Sequence, residues 1–552
     1  MVAFFVLLIG IAGLSLLGWE GFRVLMKKRR FTYWFITPAL MGIVIVLTTY
    51  KSMENRSTNN PASSDNLIFL AIFAVLLFIV WIKGRKNSAN VAQGDRVLRG
   101  STVVSSGELM HAMYGKDAKK LSETPQFINL GGVVIPYEIE AQHLMFSGTT
   151  GSGKTQAINR VLKTIRLRKK RAMIADAGGG FLSRFYEGGD VIFNPFDKRS
   201  VDWSPFAEIR AEYDCARIAK AAIPDASGDA QEWHHYAQTL LSETMLAMYK
   251  RGQRSIKQLL HYLTVSDTKE LGELLAGTPA SILCAKGNDK MLSNTRGIIS
   301  TFLIVWRYLP DNGRFSVREW VRNESHSSWL FVTFRDDQLG MLRSLIATML
   351  ELGIVEGLSM SEDSERDLWF VMDEVDSLGK ITSLRAGLTK LRKYGCKCVL
   401  GLQTISQLRT TYGNDEAQTL LANVSTKAVL RAGDGETAEY FSKEFGDQEI
   451  ERRQWSSTSG SSSNGAFTGG SSSQSSSTTE VRETKRTILA SQISSLRDLH
   501  GFLKVPGVPI GYIELPYEGL PETAPAYMES NAANITSNVP SLDLRFAVGN
   551  NE

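Results

Sequence analysis

The chain has 552 residues, 43% of them hydrophobic, a length that points to more than one domain. Its formal net charge of +5 is mildly basic, which permits an acidic partner without demanding one. The four cysteines, Cys215, Cys284, Cys396 and Cys398, form no paired metal-ligand pattern and read as reduced structural thiols of a cytosolic domain.

Apolar residues are concentrated at the N-terminus. Three apolar runs, residues 1–19, 31–50 and 66–82, occupy the first part of the chain. A spanning helix needs about 17–25 such residues, so two or three transmembrane helices are expected. The first run lacks the basic segment that would open a cleaved signal peptide, which favours an uncleaved span. Basic clusters follow the first run (Lys27, Lys28, Arg29, Arg30) and the third (Lys83, Arg85, Lys86), whereas the loop 51–65 is Asn/Ser-rich and near neutral. The positive-inside rule then puts the N-terminus and that loop outside and the large C-terminal part in the cytoplasm.

The next signal is Gly148-Thr149-Thr150-Gly151-Ser152-Gly153-Lys154-Thr155, which fills the pattern G-x-x-x-x-G-K-[ST] of a phosphate-binding loop. Its glycines let the backbone turn tightly and aim successive N–H groups at phosphate oxygens. Lys154 would reach the β- and γ-phosphates of ATP, and the Thr155 hydroxyl would hold Mg²⁺. Residues 143–147 read as a buried strand feeding the loop and 156–167 as a helix leaving it, so phosphate would sit at a helix N-terminus. The basic run Arg166, Arg168, Lys169, Lys170 and Arg171 ends that helix. It reads as cations at a helix C-terminus, with a DNA-binding patch as the alternative.

Further strands are expected at 172–176, 191–195, 328–334, 368–372, 398–402 and 427–432, with two short strand-like runs in 501–515. From about 201 to 310 the apolar spacing becomes helical, which marks an inserted all-α segment. Strands alternating with helices elsewhere imply a mainly parallel α/β sheet. His234-His235 lies in the helical segment with no further ligands nearby and reads as surface or packing. Residues 456–479 are half serine and cannot bury a core, so disorder is expected there. The tail from 516 is polar, with scattered prolines, and should be mostly extended.

The apolar run 368–372 ends in Asp373-Glu374. A strand delivering two carboxylates at its C-terminal end is the expected second half of a phosphate-loop site. Asp373 would bind Mg²⁺ through water and Glu374 would polarise the attacking water. Gln403 ends the next strand, where a polar residue can contact the γ-phosphate or its water. Arg392 lies on a basic helix between them. From the sequence alone it is a solvated cation or a guanidinium offered to a neighbouring subunit.

Gly148–Thr155, Asn194-Pro195-Phe196-Asp197, Asp373-Glu374, Gly401-Leu402-Gln403 and Gln418-Thr419-Leu420 follow one another in the order that resembles type IV secretion coupling proteins of the TraD/TrwB-like group. These belong to the FtsK–HerA class of RecA-like motor ATPases. The resemblance implies a RecA-like P-loop nucleotide-binding domain with an inserted all-α domain, preceded by N-terminal transmembrane helices. It implies a multi-pass protein of the bacterial inner membrane, with the ATPase domain in the cytoplasm, assembled as a homo-hexamer. Such a protein would couple DNA, with its relaxase and relaxosome proteins, to type IV secretion channel subunits, using ATP and Mg²⁺. Arg392 would match the family's arginine finger and Gln403 its γ-phosphate-contacting glutamine.

The implied division is 1–86 transmembrane, 87–200 nucleotide-binding, 201–314 all-α, 315–515 nucleotide-binding again with the Ser-rich loop 456–479, and 516–552 a tail. The chain departs from the family's pattern at Ala177, where relatives carry Pro, and at Gly180, where they carry an acidic residue. Two other readings are a docking receptor that uses nucleotide as an assembly switch and a chromosome-segregation translocase. The second would carry a C-terminal winged-helix reader, and no basic helical module follows residue 487.

Overall fold

The computed structural model describes residues 96–226, 228–461 and 472–530. The expected membrane spans lie outside the described residues, as does the tail beyond 530. The described residues from Val97 onward form one compact unit.

Its centre is a ten-stranded sheet. In chain order the strands are β1 (Val103–Ser105), β2 (Leu144–Ser147), β3 (Ala172–Ala177), β4 (Val191–Phe193), β5 (Leu330–Phe334), β6 (Leu368–Met372), β7 (Cys396–Leu402), β8 (Thr426–Val429), β9 (His500–Lys504) and β10 (Ile510–Glu514). They lie side by side in the order β1-β10-β9-β8-β2-β7-β6-β3-β5-β4. Every pairing from β8 across to β4 is parallel. The antiparallel strands β9 and β10 then extend the sheet on the β8 side, and β1 closes that edge parallel to β10.

The parallel strands are apolar at nearly every position because both of their faces are covered. Side chains alternate between two cores. Leu144 and Phe146 of β2 join Ala157, Ile158, Val161 and Leu162 of the helix after the glycine loop, α1 (Lys154–Leu167). Met145 points the other way, into a core shared with the helical segment. Cys396 and Cys398 share this second face of β7, buried and free, and Cys215 is likewise buried.

The helical segment contains α2 (Glu212–Ala222), α3 (Ala230–Lys250), α4 (Ile256–Thr264), α5 (Thr268–Leu275), α6 (Asp289–Leu303) and α7 (Val317–Arg322). Local sequence sets several starts. Ser255, Asp267 and Ser316 each accept the N–H of the residue three on, at 3.2, 2.7 and 3.1 Å, and so cap α4, α5 and α7. His234 is packed against Phe302, and its Nδ1 lies 2.7 Å from the Pro224 carbonyl.

A buried polar knot pins both ends of the helical segment to the long helix α8 (Asp336–Leu358). Glu208 accepts from Trp203 Nε1 (2.8 Å), the Ser316 hydroxyl (2.8 Å) and Val317 N–H (2.7 Å). Arg318 donates to Glu356 (2.6 Å) and to the Glu208 carbonyl (2.8 Å), and pairs with Asp214 at 2.9 Å. Arg210 and Arg322 complete the shell of Glu356, which is fully buried.

Where it is described, the Ser-rich stretch departs from the expectation of disorder; its residues 462–471 lie outside the described residues. Residues 456–461 and 472–479 belong to two long strands, Asp447–Ser461 and Ser472–Arg486, paired antiparallel from Asp447↔Arg486 to Ser461↔Ser472. Serine cannot build a core, but a hairpin needs only its backbone ladder and cross-strand pairs. Opposite charges face each other near its base, at Asp447–Arg486 (2.8 Å) and Glu451–Arg482 (3.7 Å).

Removing one partner of a buried ionic knot leaves the others uncompensated. Glu356→Ala is therefore expected to lower unfolding free energy by about 3 kcal/mol, measured by denaturant titration. An exposed control such as Glu439→Ala should shift it by less than about 0.5 kcal/mol.

Candidate functional site

The parallel strands all end on the same edge, and the ends of β2, β6 and β7 meet there. The glycine loop leaves β2 and turns into α1. Gly151 and Gly153 adopt positive φ (78° and 111°), which other residues rarely take. The Gly148 and Thr149 N–H groups are held by the Leu402 and Arg431 carbonyls at 3.0 and 2.9 Å, so the loop is tied to β7 and to the residues after β8. A side chain at Gly148 would meet Ser152 Oγ at 2.4 Å.

Lys154 opens α1 and is only 8% exposed. Its ammonium donates to the Asp373 carbonyl (3.1 Å) and lies 3.6 Å from Asp373 Oδ1 and 3.7 Å from Glu374 Oε1. Gln403, just beyond β7, donates its amide to Glu374 Oε1. Burial raises the Asp373 carboxyl above its ordinary value, opposed by Lys154 and reinforced by Glu374. Three buried oxygens here, Ser147 Oγ, Ser152 Oγ and Asp373 Oδ1, have no hydrogen-bond partner. Buried polar atoms are normally satisfied, and of these three residues Asp373 lines the cleft, where its oxygen free of hydrogen bonds suits a hydrated or ionic ligand. That cleft measures about 340 Å³.

Gly401 makes the carboxylate turn possible. A Cβ there would lie 1.7 Å from the Asp373 carbonyl oxygen, and the Gly401 carbonyl accepts Val375 N–H at 3.1 Å. One strand over, Asp176, the penultimate residue of β3, is buried and accepts the Phe181 and Leu182 N–H groups at 3.1 and 2.7 Å. Burial pushes its carboxyl up to about 7; these N–H groups oppose the rise and Asp373 adds to it.

The structure thus brings Gly148, Thr149, Thr150, Gly151, Ser152, Gly153, Lys154, Thr155, Asp373, Glu374 and Gln403 to one place. Arg392 is not among them. It is exposed on the 3₁₀ turn Leu391–Tyr394, ahead of β7, while the cleft lies past the far end of that strand. Seven strand residues span roughly 20 Å, so Arg392 cannot touch this cleft. The three arginines of the basic run that ends α1 are turned inward. Arg166 stacks on Trp329 and pairs with Asp190, Arg168 pairs with Glu140, and Arg171 Nη1 donates to the Trp320, Val321 and Asn323 carbonyls. These three guanidiniums fasten the helix end to its surroundings, which removes them from a DNA patch.

Three lining residues come from a late segment with no motif: Asp498, Leu499 and Tyr517. Leu499, with φ 64°, donates its N–H to the Ser152 carbonyl (2.8 Å) and lies where a Gly153 side chain would be. Short strand-like runs at 501–515 hinted that the chain re-enters the sheet, but nothing in them named the partner loop.

A family described as type IV secretion-system coupling protein DNA-binding domain matches residues 127–516. The coupling protein TraD of Escherichia coli (strain K12) is 27% identical over 471 residues, covering 84% of this chain and 63% of TraD. The solved structure of the plasmid coupling protein TrwB with ADP and Mg²⁺ aligns with a TM-score of 0.69 and 34% identity, covering 79% of this chain and 98% of that one. TrwB with the GTP analogue GDPNP aligns with a TM-score of 0.68 at 33% identity over the same shares. The chain spans under two thirds of TraD's length. The match over most of its residues shows that the chain belongs to the type IV secretion coupling protein family.

Two outcomes test the site as built. Gly401→Ala should displace the Asp373-Glu374 turn and cut nucleotide hydrolysis at least about tenfold while circular dichroism stays native. The raised Asp176 carboxyl favours folding only while protonated. Its contribution is full below about 4 and is lost as pH climbs through about 7. Asp176→Asn should flatten that decline, read as unfolding midpoints between pH 4.5 and 8.

Proposed function

We propose that the chain is a membrane-anchored ATPase that recruits relaxase-bound DNA to a type IV secretion channel and drives its transfer during conjugation. The observation that carries this reading is the meeting of Lys154, Asp373, Glu374 and Gln403 at one sheet edge, within the stretch that matches the coupling-protein family. TrwB, whose structures include complexes with ADP and Mg²⁺ and with analogues of ATP and GTP, lends the ligand chemistry.

In this reading the loop N–H groups and the N-terminus of α1 bind the phosphates of ATP. Lys154 exchanges its carboxylate partners for the β- and γ-phosphates. Thr155 and Asp373 would hold Mg²⁺, and Asp373 Oδ1, which accepts no hydrogen bond, suits that role. Bound there, the ion would supply neutralisation of phosphate charge. Glu374 orients and polarises the attacking water, and Gln403 fixes the Glu374 carboxylate within reach of the γ-phosphate. Arg392, too far from its own cleft, acts on the neighbouring subunit of a homo-hexamer as an arginine finger. Residues 1–86 anchor the protein in the inner membrane, residues 87–200 and 315–515 form the cytoplasmic motor, and the helical segment 201–314 faces incoming DNA.

Two measurements test this. The ATPase rate of the full chain in detergent should rise steeply with protein concentration and with added DNA, as shared sites require. Lys154→Ala should lower that rate by about 10²–10³-fold and abolish DNA transfer while substrate docking persists. Transfer that survives the substitution would exclude the motor.

A further inference from the structure

The phosphate end of the cleft is built from motif residues, but its outer wall comes from a segment with no motif. After β10 the chain crosses the start of α1. Arg160 donates to the Pro516 carbonyl at 2.7 Å, and Glu518 donates its N–H to Gln156 Oε1 at 3.1 Å. Lys163 pairs with the Glu518 carboxylate. Residue 517 is thereby fixed on both sides to the helix that follows the glycine loop. Its tyrosine ring lines the cleft and is 74% exposed. Among the described residues neither a hydrogen bond nor a ring contact engages it. A large aromatic held by its backbone on both flanks, yet left without packing, is poised for a flat ligand.

The position suits one. A nucleotide whose phosphates occupy residues 148–155 must send its nucleoside outward past Thr155, where the cleft is walled by Gln156, Leu499 and Tyr517. Two acceptors of that wall are already engaged. The Gln156 amide oxygen is taken by Glu518 N–H, and Asp498 pairs with Arg431 at 2.8 Å. Beside them, the apolar Leu499 side chain and the Tyr517 ring offer a flat face to a base.

We propose that Tyr517 is the nucleobase platform of this site, on which purine bases stack with little discrimination between adenine and guanine. The inference rests on the nucleotide reading above and adds the residue that holds the base. Stacking on an aromatic side chain tolerates any base because every base has a π-face.

Isothermal titration of the full chain in detergent with ADP, GDP and tripolyphosphate tests it. ADP and GDP should bind within about threefold of each other. Tyr517→Ala should weaken both about tenfold, a typical loss for one base–aromatic stack, and leave tripolyphosphate unchanged. Tyr517→Trp should retain nucleotide affinity. Unchanged ADP and GDP affinity in Tyr517→Ala would overturn the platform, as would an equal loss of tripolyphosphate or a wild-type preference above tenfold for one base. Lys154→Ala separates the two readings. If it loses all three ligands while Tyr517→Ala loses none, the platform fails and the nucleotide site stands. A wild-type chain that binds none of them overturns both.

Discussion

A buried ammonium facing two carboxylates at the end of a parallel sheet is the constraint on which the rest of the molecule depends. Lys154 is nearly excluded from water, and a charge so placed is tolerated only with partners. Asp373 and Glu374 are those partners only if β2 and β6 finish at the same level, with β7 between them in register. β7 in turn must carry glycine at 401, because the carboxylate turn lies directly against its backbone. The positive-φ glycines of the loop, the entry of α1 and the position of Gln403 then follow from holding one lysine where phosphate would otherwise compete for it.

Segments far apart in the chain are fastened around this edge by polar contacts. The helical segment is tied at both ends by Glu208 and Arg318, and Arg318 also grips Glu356 on α8. The residues after β10 run from α1 to the Asn194–Asp197 turn. There Tyr527 donates its hydroxyl to the Phe196 carbonyl at 2.8 Å, Met528 N–H reaches Asp197 at 3.1 Å, and Gly179 packs against the Ala526 carbonyl. One extended strap thus touches the phosphate-loop helix, the turn after β3 and the turn after β4. A shift at any of them is felt along the same short piece of backbone.

Much of this was legible in the sequence because it is local. Apolar runs marked β2, β3, β6 and β7, and the glycine loop and Asp373-Glu374 were readable from residue type and spacing. Other parts depended on long-range pairing. Leu499 and Tyr517 reach the cleft from more than 340 residues beyond the glycine loop, by a β9–β10 return that no spacing rule announces. The serine-rich hairpin was missed because composition reports on core-building, whereas its strands are held by a backbone ladder. Arg392 could not be placed by sequence because its reach depends on which end of β7 it precedes.

Helix α8, 23 residues long, is by length and composition apolar enough to cross a membrane. Yet it carries Glu351, whose carboxylate accepts from Ser383, and Glu356, ringed by arginines, and its flank packs on Met173 and Phe370. Counting it as a span would change the parity of crossings along the chain. Everything after it, including Asp373, Glu374 and Gln403, would then be assigned to the opposite side of the bilayer from Lys154. A carboxylate pair and the lysine they hold cannot be separated by a membrane, so the ion pairs of a folded site fix which hydrophobic helices a topology may count.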